Sequence, residues 1–254
     1  MSLAPLPIAT LLRRYGIHPR KGLGQNFLHD ENILAKIAAI AELSPNEEVL
    51  EIGPGVGNLT RHLARLAASV TAVELDVRLF PILQEVLSSY PNVRLVQGDI
   101  LALNPADLVS SQEYVVVANI PYYITSAILR HLLEKPRRPR RMILTVQLEV
   151  AERICAQPGE MSLLALSVQV YGYPSIAGRI PAGAFYPPPK VDSAILRIEI
   201  AAEPFLAPSL IDDFFTLVRA GFSQKRKTLR NALAAGLNLP NASVEALLGA
   251  ACIA

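Results

Sequence analysis

The residues Asn119-Ile120-Pro121-Tyr122-Tyr123 carry the most specific chemistry in this sequence. The amide oxygen of Asn119 and the backbone carbonyl of Ile120 can each accept one hydrogen of an exocyclic amine. Pro121 stiffens the backbone, and Tyr122 offers a flat face to a planar base. The same residues also suit a strand-end turn with a packed tyrosine. A second group is Gly53-Pro54-Gly55-Val56-Gly57. Its glycines permit positive φ and close approach of a ligand, and the helix that follows presents unpaired N–H groups. The third glycine falls one residue early for the G-x-G-x-x-G dinucleotide fingerprint, with Asn58 in its place, which weakens a nicotinamide-cofactor reading. Some twenty residues on, Glu74 ends an apolar run and can accept hydrogen bonds from ribose hydroxyls. Glycine loop and carboxylate together point to a ribose-containing ligand.

The elements that must position these groups follow from the apolar pattern. Strands are predicted at residues 49–52, 70–74, 93–96, 114–118 and 142–147, with helices after Gly57, at 77–89 and at 149–156. Such alternation predicts a parallel sheet that binds ligands at the strands' carboxyl ends. Glu51 and Asp99 are expected at the same rim as Glu74, although Gly98-Asp99 also reads as a simple turn. Residues 163–171 look strand-like, and 194–200 give a last strand. The run from Phe185 to Val191 is an extended link stiffened by three prolines. Residues 21–28 form a glycine-punctuated loop, read either as a surface loop anchored by Phe27 or as a flap over the ligand.

With 254 residues, 51% of them hydrophobic, the chain can build one large domain or a medium one with a small one beside it. Composition shifts near Glu203-Pro204, and everything after Ser209 reads as helix: 210–222, 224–237 and 243 onward. The net charge of +2 is modest but unevenly spread. Arg137, Arg138, Arg140 and Arg141 fall in one proline-broken loop, where a solvated charge run and phosphate contact are both open. Lys225, Arg226, Lys227 and Arg230 fall in an acid-free helical stretch that favours nucleic acid. Cys155 and Cys252 match no ligand spacing and are expected as reduced, buried thiols. The four histidines show no metal pairing. No apolar run approaches the length of a membrane span, and no export signal is evident. A cytoplasmic protein without a metal or membrane partner is expected.

Taken together, GQNFL, EIGPGVGNLT, VELD, NIPYYITS, QLEVAERI, FYPPPKVDS and FSQKRKTLRNAL occur in an order that resembles the ribosomal RNA adenine dimethyltransferase family, in its bacterial KsgA type. The resemblance runs from residue 8 to residue 231. It implies a class I methyltransferase fold, that is, an α/β Rossmann-like sheet of seven mostly parallel strands with residues 194–200 antiparallel. Residues 1–202 would form this domain with its N-terminal flap, and 203–254 a small all-helical rRNA-binding domain. The implied cofactor is S-adenosyl-L-methionine, held by Gln25, Asn26, Leu28, Gly53, Gly55, Glu74, Leu75, Asp99, Ile100 and Asn119. The implied methyl-transfer site is Asn119, Ile120, Pro121 and Tyr122, with Phe185 stacking the base from the opposite side. The implied partner is 16S rRNA within the small ribosomal subunit or its precursor, approached by a monomer.

Departures from the family pattern are visible. Gly22 and Leu23 stand where an arginine and an aromatic are usual, Leu148 replaces a lysine, and Leu163-Leu164 replaces a Tyr-Gly pair. Family members also commonly continue past the equivalent of Ala254 with another helical segment, so a shortened C-terminal domain is expected. Two alternatives fit the same scaffold: an Erm-type enzyme acting on large-subunit rRNA, and a non-catalytic RNA-binding assembly factor.

Overall fold

The structure is a computed structural model that describes residues 3–253. The chain starts with α1 (Ile8–Arg14), a short strand β1 (Phe27–Leu28) and α2 (Glu31–Ile40). Asp30 caps α2 by accepting hydrogen bonds from the backbone N–H groups of Asn32 and Ile33. Then come β2 (Glu48–Ile52), α3 (Asn58–Ala64), β3 (Ser69–Glu74), α4 (Phe80–Val86), β4 (Val93–Gln97), β5 (Tyr114–Asn119), α5 (Thr125–Leu133) and β6 (Arg141–Gln147). These five strands, β2 to β6, are mutually parallel. The central ones are buried on both faces, which is why Val49-Leu50 and Val115-Val116-Val117 read as continuous apolar runs.

After β6 the chain adds α6 (Leu148–Ile154), α7 (Leu163–Gln169), β7 (Gly172–Ile180), a two-residue strand β8 (Phe185–Tyr186) and β9 (Ser193–Ile200). The main sheet has seven strands in the order β4-β3-β2-β5-β6-β9-β7, with β9 antiparallel to both neighbours. The expectation of a mostly parallel seven-stranded sheet holds. One local expectation fails, and one strand had no sequence reading. Residues 163–169 are helical because Ser162 caps α7 by accepting from the Ala165 N–H, and Ala165 and Val168 bury one helical stripe. Strand β7 escapes the apolar pattern because it lies on the sheet edge, carries Pro174, and has an irregular register between Ile176 and Gly178. Gly172 there is required sterically, since a Cβ would stand 2.2 Å from the Glu199 carbonyl oxygen.

Helices α8 (Ile211–Phe222), α9 (Leu229–Leu237) and α10 (Asn241–Ala250) complete the chain. Phe215 of α8 is buried in the same core as Leu144 and Leu196 of the sheet, with its ring 6.5 Å from that of Tyr171. The helical segment is therefore docked on the main body through α8. Leu164, at one of the departures noted above, packs on this core too. Lys225, Arg226 and Lys227 lie in the exposed connection between α8 and α9, where a helix had been expected, and Arg230 on α9 pairs with Glu245 of α10. Of the thiols, Cys155 is partly buried, but Cys252 is exposed, against expectation. Among the described residues no helix is long and apolar enough to cross a membrane.

Candidate active site

Strands β2, β3, β4 and β5 end at one rim, and a cleft of about 100 Å³ opens there. Gln25, Asn26, Gly53, Gly55, Glu74, Leu75, Asp99, Ile100, Asn119, Ile120, Pro121 and Tyr122 all line it. Residues distant in sequence are thus brought together by parallel register alone: Ile52 pairs with Val73 on one side and Ala118 on the other, so the residues that follow each strand meet. Tyr123 of the Asn119–Tyr123 group and Leu23 and Gly24 of the 21–28 loop also line the cleft, and so does Leu79, which only the fold supplies.

The glycine loop has positive φ at Gly53, Gly55 and Gly57 (70°, 62° and 88°), a conformation that side chains with a Cβ rarely adopt. Its backbone meets the next strand directly. The Gly55 N–H donates to Glu74 Oε2 at 3.1 Å and the Asp76 N–H to Glu74 Oε1 at 2.8 Å. Burial raises the Glu74 carboxyl above its ordinary range, while these backbone bonds pull in the other direction. Asp99 anchors its own turn by accepting from the Leu101 N–H at 2.9 Å.

The segment 21–28 covers this rim as a flap. Its Gln25 side chain donates to Asp76 Oδ2 at 2.9 Å, and the Asp76 carboxyl is held down to about 2, chiefly by the bonds that Arg78 donates and further by Gln25. The Asn119 amide donates to the Asn26 backbone oxygen at 3.0 Å. Phe27 pairs with Tyr186 and Leu28 with Phe185, so the flap continues into the two-stranded ribbon β1–β8. Across the cleft the Tyr122 hydroxyl lies 2.6 Å from Ser193 Oγ. Burial raises this phenol above its usual range.

Four expectations change on contact with the structure. Phe185, only 2% exposed, packs with Leu28 and Leu34 in the core and does not line the cleft. Leu28 reaches only a small side pocket behind the glycine loop, where its carbonyl accepts from the Asn58 side chain at 2.6 Å. Glu51 lines that same pocket instead of the open rim; it is 1% exposed, and burial pushes its carboxyl up to about 8. The arginine loop lies at the opposite end of the sheet, since Arg141 begins β6 while the cleft is at the strand ends. Arg137 donates to the Ala106 carbonyl, Arg138 to the Leu133 carbonyl while lying over the Tyr171 ring, and Arg140 pairs with Glu47. Arg141, 4% exposed, faces Glu42, Glu47 and Glu199. All four arginines have partners within the fold and lie away from the cleft, Arg140 through a half-exposed ion pair.

Chemically, the cleft brings a glycine-loop backbone and a buried carboxylate together with an amide, a carbonyl and an aromatic ring. Known proteins share this fold. A crystal structure of the 23S rRNA methyltransferase ErmE superposes with a TM-score of 0.73 at 35% identity, covering 90% of this chain and 91% of that one. A dimethyladenosine transferase from Plasmodium falciparum gives 0.73 at 30% identity, over 90% and 82%. The ribosomal RNA small subunit methyltransferase A of Dehalococcoides mccartyi (strain ATCC BAA-2266 / KCTC 15142 / 195) is 48% identical over 96% of this chain and 84% of its own length. That of Moorella thermoacetica is 45% identical over 94% and 87%. The family model for ribosomal RNA adenine dimethylase matches residues 17–249, and the chain belongs to that family.

Proposed function

We propose that this protein dimethylates the exocyclic N6 amine of two adjacent adenosines near the 3′ end of 16S rRNA, drawing methyl groups from S-adenosyl-L-methionine. The observation that carries the reading is the convergence of Glu74, Asp99 and Asn119-Ile120-Pro121-Tyr122 on one cleft in a chain of this family. The donor fits the residues present. Gly53 and Gly55 hold the cradle at positive φ, and at Gly55 a Cβ would stand 2.9 Å from the Phe27 ring. Glu74 keeps lone pairs free for ribose hydroxyls beyond its two backbone donors. Asp99 and Ile100 line the cleft, where they would meet the donor's adenine, and Asn26 of the flap lines it too.

When bound, the donor supplies an electrophilic methyl group on a cationic sulfur. The protein supplies position. An adenine amine is a weak nucleophile because its lone pair is delocalised into the ring. The Asn119 amide donates one N–H to Asn26, which leaves its oxygen available as an acceptor. With the Ile120 carbonyl as second acceptor, both amine hydrogens are drawn off the ring plane and the lone pair is aimed at the methyl. No strong base is needed, since the nitrogen gives up its proton readily once alkylated. Most of the rate enhancement is then orientation. The base must leave its stack at a cost of a few kcal/mol, which the Tyr122 face offsets.

The large-subunit alternative is the weaker reading, because relatives named for the small subunit reach 48% identity against 35% for ErmE. Incubation with labelled donor and small subunits from a methylation-deficient strain, followed by rRNA digestion, should yield N6,N6-dimethyladenosine. Label found only in large subunits would overturn the assignment. Donor binding without transfer to either would favour an assembly factor.

A further inference from the structure

Tyr122 spends its hydroxyl inside the protein. The oxygen lies 2.6 Å from Ser193 Oγ, on the far side of the ring from the chain that carries it. Ser193 is a firm anchor. It is 0% exposed, opens β9, and is paired in register with the last residues of both neighbouring strands, Gln147 of β6 and Ile180 of β7. Its neighbour Asp192 is pinned as well, accepting from the Leu148 N–H through its backbone oxygen and from the Ala182 N–H through its side chain. At the other end of the tyrosine, the backbone turns through the short helix 122–124, and Thr125 Oγ1 donates to the Tyr122 carbonyl at 3.1 Å. The ring is therefore gripped at both ends. A stacking face alone needs no hydroxyl, and phenylalanine would provide it.

We propose that Ser193 is a positioning residue for methyl transfer: its hydroxyl sets the tilt of the Tyr122 ring and through it the plane of the target base. This rests on the reading of Tyr122 as the stacking face given above. An amine must meet the methyl in line, and small angular errors at this point are costly to rate. The base can still enter when the ring swings, so binding suffers less than chemistry. Ser193 touches neither donor nor base; it acts only through Tyr122.

The test is a cycle of Ser193→Ala, Tyr122→Phe and the double variant in the full chain, assayed on small subunits with labelled donor. Each single variant breaks the same bond from one side. Each should lower kcat by roughly 10- to 100-fold with the rRNA KM changed less than about 3-fold and donor affinity unchanged. The double variant should be no slower than Tyr122→Phe alone. A substrate carrying 2-aminopurine at the target adenosine adds an optical readout, because stacking on Tyr122 quenches it and Ser193→Ala should relieve the quench. A purely structural serine would lower the melting temperature while leaving kcat per folded molecule and the quench in place, which would overturn the proposal. So would a double variant in which the two losses multiply. If Ser193→Ala fails to fold, Tyr122→Phe alone decides: unchanged kcat and quench refute the positioning. Absence of wild-type transfer to either ribosomal subunit would instead refute the reading of the site, and this inference with it.

Discussion

The side-chain amide of Asn119 donates a 3.0 Å hydrogen bond to the backbone carbonyl of Asn26. One residue closes a central strand and the other belongs to the flap, so the bond joins the proposed acceptor of the target amine to the cover of the cleft. Only the NH2 end of an amide can donate to a carbonyl, so the bond also decides which way Asn119 faces.

Substitutions at Asn119 should separate two effects. Asn119→Ala is expected to abolish measurable transfer while leaving rRNA binding largely intact. Asn119→Asp keeps an acceptor but sets a carboxylate against the Asn26 carbonyl, and should lower kcat by about 10²–10³-fold with a weaker hold on donor. Calorimetric donor titration beside turnover assays checks both, and wild-type turnover in either variant would remove Asn119 from the mechanism.

Glu51 makes stability depend on pH. Its folded pKa of about 8 lies above the ordinary carboxylate value of 4.5, so the native state holds a proton that the unfolded chain gives up. Its contribution is intact below about pH 4.5 and is lost as pH rises toward about 8, at roughly 1.4 kcal/mol per unit of separation. Glu51→Gln removes this dependence. Urea unfolding across that window should show a flatter pH profile for the variant and higher stability than wild type at the alkaline end; parallel profiles would contradict the buried, protonated carboxyl.

A methyl group at Gly55 would meet Phe27 and occupy a positive φ. Gly55→Ala should destabilise the fold by about 1–3 kcal/mol and weaken donor binding, because the loop and the flap must both shift. Thermal melts with and without donor measure the two. Full donor affinity in the variant would mean that the cradle does not hold the donor.

The two arginine and lysine clusters are expected to behave in opposite ways. Replacing Lys225, Arg226 and Lys227 by alanine should weaken RNA binding and reduce the slope of log K against log salt by up to about 3. Arg141→Ala should leave that slope alone and cost roughly 1–3 kcal/mol of stability, since it removes a buried cation facing three carboxylates. Filter binding over a salt series discriminates them.

What the sequence made legible was whatever depends on short-range pattern. Apolar runs gave the parallel strands, and strand ends gave Glu74, Asp99 and Asn119, because in a parallel sheet every strand terminus comes to one rim. What it hid depends on long-range pairing. Phe185 reads as a free aromatic in a proline-rich link, yet pairing with Leu28 turns it into the core. Arg137 and Arg141 read as phosphate ligands because charge is visible in a sequence and the carbonyls and carboxylates waiting across the fold are not. Leu163 to Tyr171 reads as strand-like despite its poor alternation, and the decisive signal was the single capping hydroxyl of Ser162.

The ribbon that pairs Leu28 with Phe185 bears on timing. Two methyl groups require the spent donor to be exchanged between transfers, and the flap over the cleft is tied at two points, through Asn26 to Asn119 on the acceptor side and through Leu28 to Phe185 in the core. Lifting it loosens both at once. The reaction is therefore expected to be distributive: in a chase with excess unlabelled subunits, monomethylated adenosine should appear on released rRNA before the dimethylated form. A labelled product that passes straight to dimethyladenosine would mean that the exchange leaves the ribbon closed.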